Sequence, residues 1–178
     1  SDVYKRQGVE RIDSYVLHGP SQRAGLSSLD REAWQAMEAI HDSGQVRFLG
    51  VSNVSLEQLE KLSQIARIRP SFVQNRCYAE RAWDREVREF CVANQIVYQG
   101  FSLLTANRST LADPELQKIA KRHQRTVNQI VFRFALDVQM LPLTGTTNAN
   151  HMKEDLGVFD FRLDSDEVEK IEGLHGRA

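Results

Sequence analysis

The strongest constraint on this chain is an alternation. From residue 11 onward, short apolar runs take turns with longer stretches of helical periodicity. The runs are IDSYVLH (12–18), VRFLGVSN (46–53), SFVQNRC (71–77), IVYQGFS (96–102) and MLPLTG (140–145). Apolar runs of this length suit strands buried on both faces. The stretches between them predict helices. Over 29–43, Leu29, Ala33, Trp34, Met37 and Ile40 fall on one face, and Gly44 follows as a stop. Ser55 and Gln58 have capping-box spacing ahead of Leu56, Leu59, Leu62, Ile65 and Ala66. Asp84 is the expected cap of a helix carrying Val87, Phe90 and Cys91, and Asp113-Pro114 opens one that runs to about His123. Thr126 with Gln129 starts another, carrying Val127, Ile130, Val131, Phe134 and Val138. A short helix near 149–156 and a last one from about Ser165 to Glu172 complete the pattern.

Strand and helix in strict alternation imply an α/β fold with parallel strands joined by right-handed crossovers. Two architectures satisfy this: a doubly wound open sheet, or a piece of a (β/α)₈ barrel. A dinucleotide-binding sheet would carry G-x-G-x-x-G after its first strand, and the sequence has no such turn. A barrel places functional residues at the C-terminal end of strand after strand. The first, second, fourth and fifth runs end in His18, in Ser52-Asn53, in Phe101-Ser102 and in Thr144-Gly145-Thr146-Thr147, and the third carries Gln74-Asn75. Any one of these is also explained as a strand-end cap or a turn residue. Five in succession define one face.

Composition removes several function classes. A chain of 178 residues, 41% hydrophobic and 26% charged, is that of one globular domain with a sizeable core. A net charge of -1 gives no electrostatic case for nucleic acid or an anionic membrane. No apolar run nears the roughly 20 residues that span a bilayer. Cys77 and Cys91 sit in apolar patterns without metal-ligand spacing, and the 5 histidines are scattered. No metal site is therefore expected, and a reduced, cytoplasmic setting fits best. SDVYKRQ at the start shows neither periodicity, so residues 1–10 read as a linker-like or artefactual segment.

Taken together, the strand-end motifs resemble those of the aldo-keto reductases. RFLGVSN (47–53) resembles the family's second signature, with Val54 where an aromatic usually follows. YVLHGP (15–20) resembles the family's fourth strand and puts His18 at the catalytic histidine. PSFVQNRCY (70–78) resembles the sixth strand, with Gln74 at the nicotinamide-contacting glutamine. VYQGFSLL (97–104) resembles the seventh, with Phe101 where an aromatic ring stacks on nicotinamide and Ser102 and Leu104 beside it. LPLTGTTNANHMKEDL (141–156) resembles the last strand and the adenine-phosphate loop, bringing in Thr144, Thr146, Glu154 and Asp155. VFDFRLDSDEVEKIEGL (158–174) resembles the lead into the C-terminal helix.

The resemblance implies an incomplete TIM (β/α)₈ barrel over residues 11–178: about five βα units plus a C-terminal helix, strands four to eight of the family. It implies an NAD(P)H-dependent oxidoreductase that reduces small-molecule aldehydes or ketones to alcohols. Ser52, Asn53 and Gln74 offer the donors and acceptors that a nicotinamide carboxamide needs. Phe101 offers a flat face for the ring, and His18 an imidazole for a carbonyl oxygen gaining charge. Leu143 stands where the family commonly has a lysine for the 2′-phosphate, and His151 where an arginine often follows. NADP is thus the cofactor the resemblance favours, with NAD left open. The family's catalytic aspartate, tyrosine and lysine lie on earlier strands, and Tyr4 and Lys5 lack their motif. On that pattern the parent protein is the enzyme and these residues alone are inactive. The alternative is a nicotinamide-nucleotide-binding regulatory module with little turnover. A barrel aldolase or isomerase would need a Schiff-base lysine or metal ligands at the strand ends, and the strand ends have neither. Nothing in these motifs sets the substrate or the oligomeric state.

Overall fold

The structure is a computed structural model that describes residues 8–174. The heptamer SDVYKRQ, with Tyr4 and Lys5, lies outside the described residues. The strands are β1 (Ile12–Leu17), β2 (Val46–Ser52), β3 (Phe72–Arg76), β4 (Val97–Phe101) and β5 (Met140–Leu143). The helices are α1 (Ser28–Asp42), α2 (Leu56–Ile65), α3 (Arg85–Ala93), α4 (Arg108–Leu111), α5 (Pro114–His123), α6 (Val127–Asp137), α7 (Ala149–Leu156) and α8 (Ser165–Glu172). All five strands belong to one sheet in the order β1-β2-β3-β4-β5. The pairs β1–β2, β2–β3 and β4–β5 are parallel. Each expected run is therefore a strand, and their order is that of consecutive βα units.

Two compact units divide the chain: one of the part up to Asn75 with Phe90–Val97, the other of Arg76–Glu89 with the part from Tyr98 onward. In the first unit, β1 pairs with β2 from Ile12↔Val46 to Leu17↔Val51, and β2 with β3 through Ser52↔Gln74. Gly50 leaves little room there. A Cβ on it would stand 3.1 Å from the Cβ and the carbonyl oxygen of Phe72 and 3.3 Å from Val16 Cγ2. Leu49, Val51, Leu59 and Val73 are buried among these elements. The capping boxes at Ser27 and Ser55 hold the starts of α1 and α2.

The expected face of α1 is rotated. Leu29 is 67% exposed, and the buried positions are Asp30, Trp34, Met37 and Glu38. Asp30 displaces Leu29 because its carboxylate accepts the Ser21 and Ser27 N–H groups at 2.7 and 2.8 Å and both their hydroxyls. Four donors outweigh the desolvation of one carboxylate. Glu38 likewise accepts the Ile68 N–H, next to the Trp34 Nε1–H bond to the Ile68 carbonyl. Ile65 at the end of α2 is exposed rather than part of the buried stripe.

In the second unit, β4 and β5 pair from Tyr98↔Met140 to Phe101↔Leu143, and α6 carries the deepest stripe, with Ile130, Val131 and Phe134 fully buried. Pro114 follows the Asp113 cap of α5, and Thr126 with Gln129 forms the expected capping box of α6. Asp84 precedes α3 but differs from an ordinary cap. It is the last of three left-handed residues, Ala82, Trp83 and Asp84, at φ 51, 54 and 57°. Its carboxylate accepts the Tyr98 hydroxyl at 2.7 Å. Such a run is strained, and further bonds hold it: Trp83 N–H donates to the Tyr78 carbonyl, Trp83 Nε1–H to the Ile171 carbonyl and Arg88 Nε–H to the Trp83 carbonyl. The single turn α4 and the 3₁₀ turns at Ala79–Asp84 and Gly157–Asp160 have no counterpart in the sequence pattern.

Candidate functional site

In the first unit the exits of three strands are tied together by side chains. β1 leaves through His18-Gly19-Pro20, and the chain passes β2 so closely that a Cβ on Gly19 would lie 3.2 Å from the Ser52 carbonyl oxygen. β2 leaves through Asn53, which is left-handed at φ 51°. Asparagine tolerates this region better than most residues. From there Asn53 Nδ2 donates to the His18 carbonyl at 2.7 Å and to Ser52 Oγ at 3.1 Å, while Asn53 N–H donates to the Gln74 carbonyl at 3.1 Å. Ser52 Oγ–H donates to that same carbonyl at 2.6 Å. His18 and Asn53 are exposed and Gln74 is half-buried, whereas Ser52 is only 4% exposed. Of the four, Ser52 therefore serves as a brace, its proton committed inside the sheet.

The loop after β1 is pinned from below. Gln58, beyond its capping role, sends Nε2 to the Gln22 and Gly25 carbonyls at 2.9 Å each. Asp30 holds the same loop at Ser21. Its carboxyl lies below the usual value: burial pushes it up, but the Ser27 and Ser21 amides and hydroxyls outweigh that.

The second unit carries the other expected residues. Phe101 ends β4 half-buried, and its carbonyl accepts the Cys77 N–H at 3.1 Å. Ser102 follows at φ 58°, and Leu104 is half-buried. Asn107 is buried beneath this turn. It accepts the Ala79 N–H and donates to the Cys77 and Leu103 carbonyls at 2.7, 2.9 and 2.8 Å. Burial, aided by the Asp84 charge, pushes the Cys77 thiol up to about 12, which keeps it out of thiolate chemistry.

Past β5 the arrangement is local. Thr144 Oγ1–H donates to Asp155 at 3.3 Å and Thr146 Oγ1 accepts the Asn148 N–H at 3.1 Å. Asn148 Oδ1 in turn accepts the Asn150 and His151 N–H groups at 2.9 and 3.4 Å. The first-turn Asn150 and His151 N–H groups of α7 are thus capped by Asn148. Glu154 and Asp155 are half-buried, and Gln129 Nε2 donates to the Glu154 carbonyl. Among the described residues, no group of three or more His, Cys, Asp or Glu could hold a metal ion, and no helix is long and apolar enough to cross a membrane.

Pattern reading did not single out Asp30 or Asn107, and it marked Gln58 only as a capping partner and Asn75 only as a strand-end residue. All four are buried polar groups that bond to loop backbone rather than face solvent. Asn75 had a signal, since it sits beside Gln74 in a strand-end pair. Gln58 showed only its capping spacing.

Comparison with known proteins decides the family. The model of the aldo/keto reductase family matches residues 2–175. The chain belongs to that family. An uncharacterized oxidoreductase of Bacillus subtilis is 29% identical over 168 residues, covering 94% of this chain and 58% of its own length. The glyoxal reductase of the same organism is 27% identical over 172 residues, covering 96% and 59%. The aldo-keto reductase of the silkworm Bombyx mori, in complex with NADPH, superposes with a TM-score of 0.84 at 22% identity, over 96% of this chain and 56% of that one. The aldo/keto reductase chain described here thus spans about three fifths of the length of the curated relatives it matches, and its βα units have the fold of the corresponding part of the solved reductase.

Proposed function

We propose that the protein is an NAD(P)H-dependent oxidoreductase that reduces small-molecule aldehydes or ketones to alcohols. His18, Asn53 and Gln74 form the part of its site that handles the nicotinamide and the substrate carbonyl. The observation that carries this reading is the three-strand tie at the exits of β1, β2 and β3, in which the Asn53 side chain joins the His18 carbonyl while Ser52 and Asn53 both join the Gln74 carbonyl, so that His18, Asn53 and Gln74 are held as neighbours. The donor set fits a ring bearing a carboxamide. Asn53 commits Nδ2 to the protein, which leaves Oδ1 as its acceptor, and Gln74 carries an amide of the same chemistry on the neighbouring strand.

When bound, NAD(P)H supplies the hydride. The protein's tasks are then positional and electrostatic. Asn53 and Gln74 orient the carboxamide. Phe101 gives the ring a flat partner, with Ser102 and Leu104 beside it. The His18 imidazole donates to the carbonyl oxygen as negative charge develops there. Thr144, Thr146, Glu154 and Asp155 serve the adenosine end, where a phosphate must displace the Asn148 side chain from α7 or use the threonine hydroxyls. NADP is favoured because the NADPH complex of the silkworm enzyme shares this fold. Leu143, an apolar residue beside that loop, keeps NAD in play.

Co-expression with the first three βα units of the Bacillus glyoxal reductase tests the reading. Aldehyde-dependent oxidation of NADPH or NADH is expected, with His18→Ala lowering it about 100-fold. Nucleotide binding without any turnover in such a complex would favour the regulatory module instead.

A further inference from the structure

The reading above leaves one buried polar side chain of the first unit without a role. Asn75 follows Gln74 on β3 and is 6% exposed. Its Oδ1 accepts the Val54 N–H at 3.0 Å, and its Nδ2 donates to the Val54 carbonyl at 2.8 Å. One amide thus grips both polar backbone groups of a single residue. That residue is the one after Asn53, whose backbone stands in the left-handed region, which asparagine enters more readily than most residues but which still gains from support on both sides. The Gln74 carbonyl holds Asn53 on one side, Asn75 holds Val54 on the other, and the Ser55 cap of α2 follows at once. With the turn fixed at both ends, the Asn53 side chain is aimed at β1, where it meets the His18 carbonyl.

We propose that Asn75 is a positioning residue. Through the Val54 backbone it holds Asn53 left-handed, and through Asn53 it sets where His18 stands. A nicotinamide site needs its groups held to a fraction of an ångström. A two-point amide clamp beneath the turn supplies that constraint from the buried side, without touching a ligand. The role rests on the proposed nucleotide site for its purpose, and on geometry alone for its action.

The test uses the 178-residue chain in four forms: wild type, Asn75→Ala, Asn75→Asp, and Leu62→Ala as a control that destabilises the same unit away from the site. Resonances of the Asn53 Cα and Cβ and of the His18 ring report the geometry, and NADPH and NADH titrations report binding. Asn75→Ala is expected to lose the left-handed signature at Asn53, to shift the His18 ring, and to weaken nucleotide binding about tenfold. Leu62→Ala is expected to lower Tm while leaving these resonances in place. Asn75→Asp is the decisive arm. A protonated carboxyl donates and accepts as the amide does, and burial raises the pH at which it stays protonated. Its Asn53 and His18 signals should match wild type at low pH and Asn75→Ala at neutral pH, each compared with wild type at the same pH. Resonances that stay at their wild-type positions in Asn75→Ala, or that move equally in Leu62→Ala, would overturn the proposal. Should the wild-type chain bind neither nucleotide at millimolar concentration, the functional reading falls, and the resonances still decide the positioning role.

Discussion

The exits of β1, β2 and β3 differ in kind from the exit of β5. In the first unit the bonds run between elements far apart in sequence: Asn53 to His18, Ser52 to Gln74, Asn75 to Val54, Gln58 to Gln22 and Gly25. In the second unit, the segment from Thr144 to His151 bonds mainly within itself and is tied to α7 at Asp155. Long-range ties fix a side chain relative to another strand, whereas local turns fix only their own shape. The two arrangements suit two demands. A ring that must present one carbon to a substrate needs exact support, while a phosphate held by hydroxyls and amides tolerates a loop that adjusts.

Substitutions at matched positions can break this contrast. The largest effect is expected at Asn53. Asn53→Ala loses its side-chain bonds and leaves an alanine left-handed, costing about 3 kcal/mol in denaturant unfolding. Asn53→Gly removes the backbone strain and should recover about 1 kcal/mol of that. Both should weaken nucleotide binding alike, because both lose the amide. Equal stability of the two would show that the turn is not strained.

Next comes the packing of the strands themselves. Gly50→Ala must push against the Cβ and backbone of Phe72, with an expected loss of about 2 kcal/mol. Gly100→Ala in the second unit meets chiefly the Met140 sulfur, at the end of a flexible side chain, and should cost no more than about 1 kcal/mol. A reversed order would contradict the view that the first unit is the less forgiving.

Acid should sharpen the comparison further. The Asp30 carboxyl is held below its ordinary 3.8 in the folded protein. Its contribution is present in full above that value and is lost as pH falls through the lower folded one. Asp30→Asn should therefore flatten the acid limb of a stability-against-pH curve, with little change in its shape at neutral pH. An unchanged acid slope would remove Asp30 from the brace under the β1 exit. The smallest effect is expected at Thr146→Ala, within about 0.5 kcal/mol for a half-buried side chain in a turn whose other residues are exposed.

Sequence pattern made the βα order legible because short apolar runs alternate with amphipathic stretches, and because Ser55, Asp113 and Thr126 announce their helices chemically; β1 departs from the expected burial on both faces, since Asp13, Ser14 and Tyr15 are exposed. The placement of His18, Asn53 and Gln74 at strand exits was legible for the same reason. What pattern could not show is which polar residues turn inward. Asp30 and Leu29 are neighbours, and only the donors of Ser21 and Ser27, brought by a loop, decide that the carboxylate is buried and the leucine is not. The left-handed run at Ala82, Trp83 and Asp84 is likewise a tertiary product, fixed by Tyr98, Arg88 and Ile171. Ser52 was expected as a direct contact for the cofactor, yet its proton is used inside the sheet.

The most direct measurement of the central claim is amide and side-chain resonance mapping of the chain as NADPH, and separately NADH, is added. Perturbations concentrated at His18, Asn53 and the Gln74 side-chain amide, with smaller ones along Thr144 to His151, are the predicted result. Saturable binding that leaves those three residues unperturbed, or shifts residues away from the strand exits instead, would contradict it.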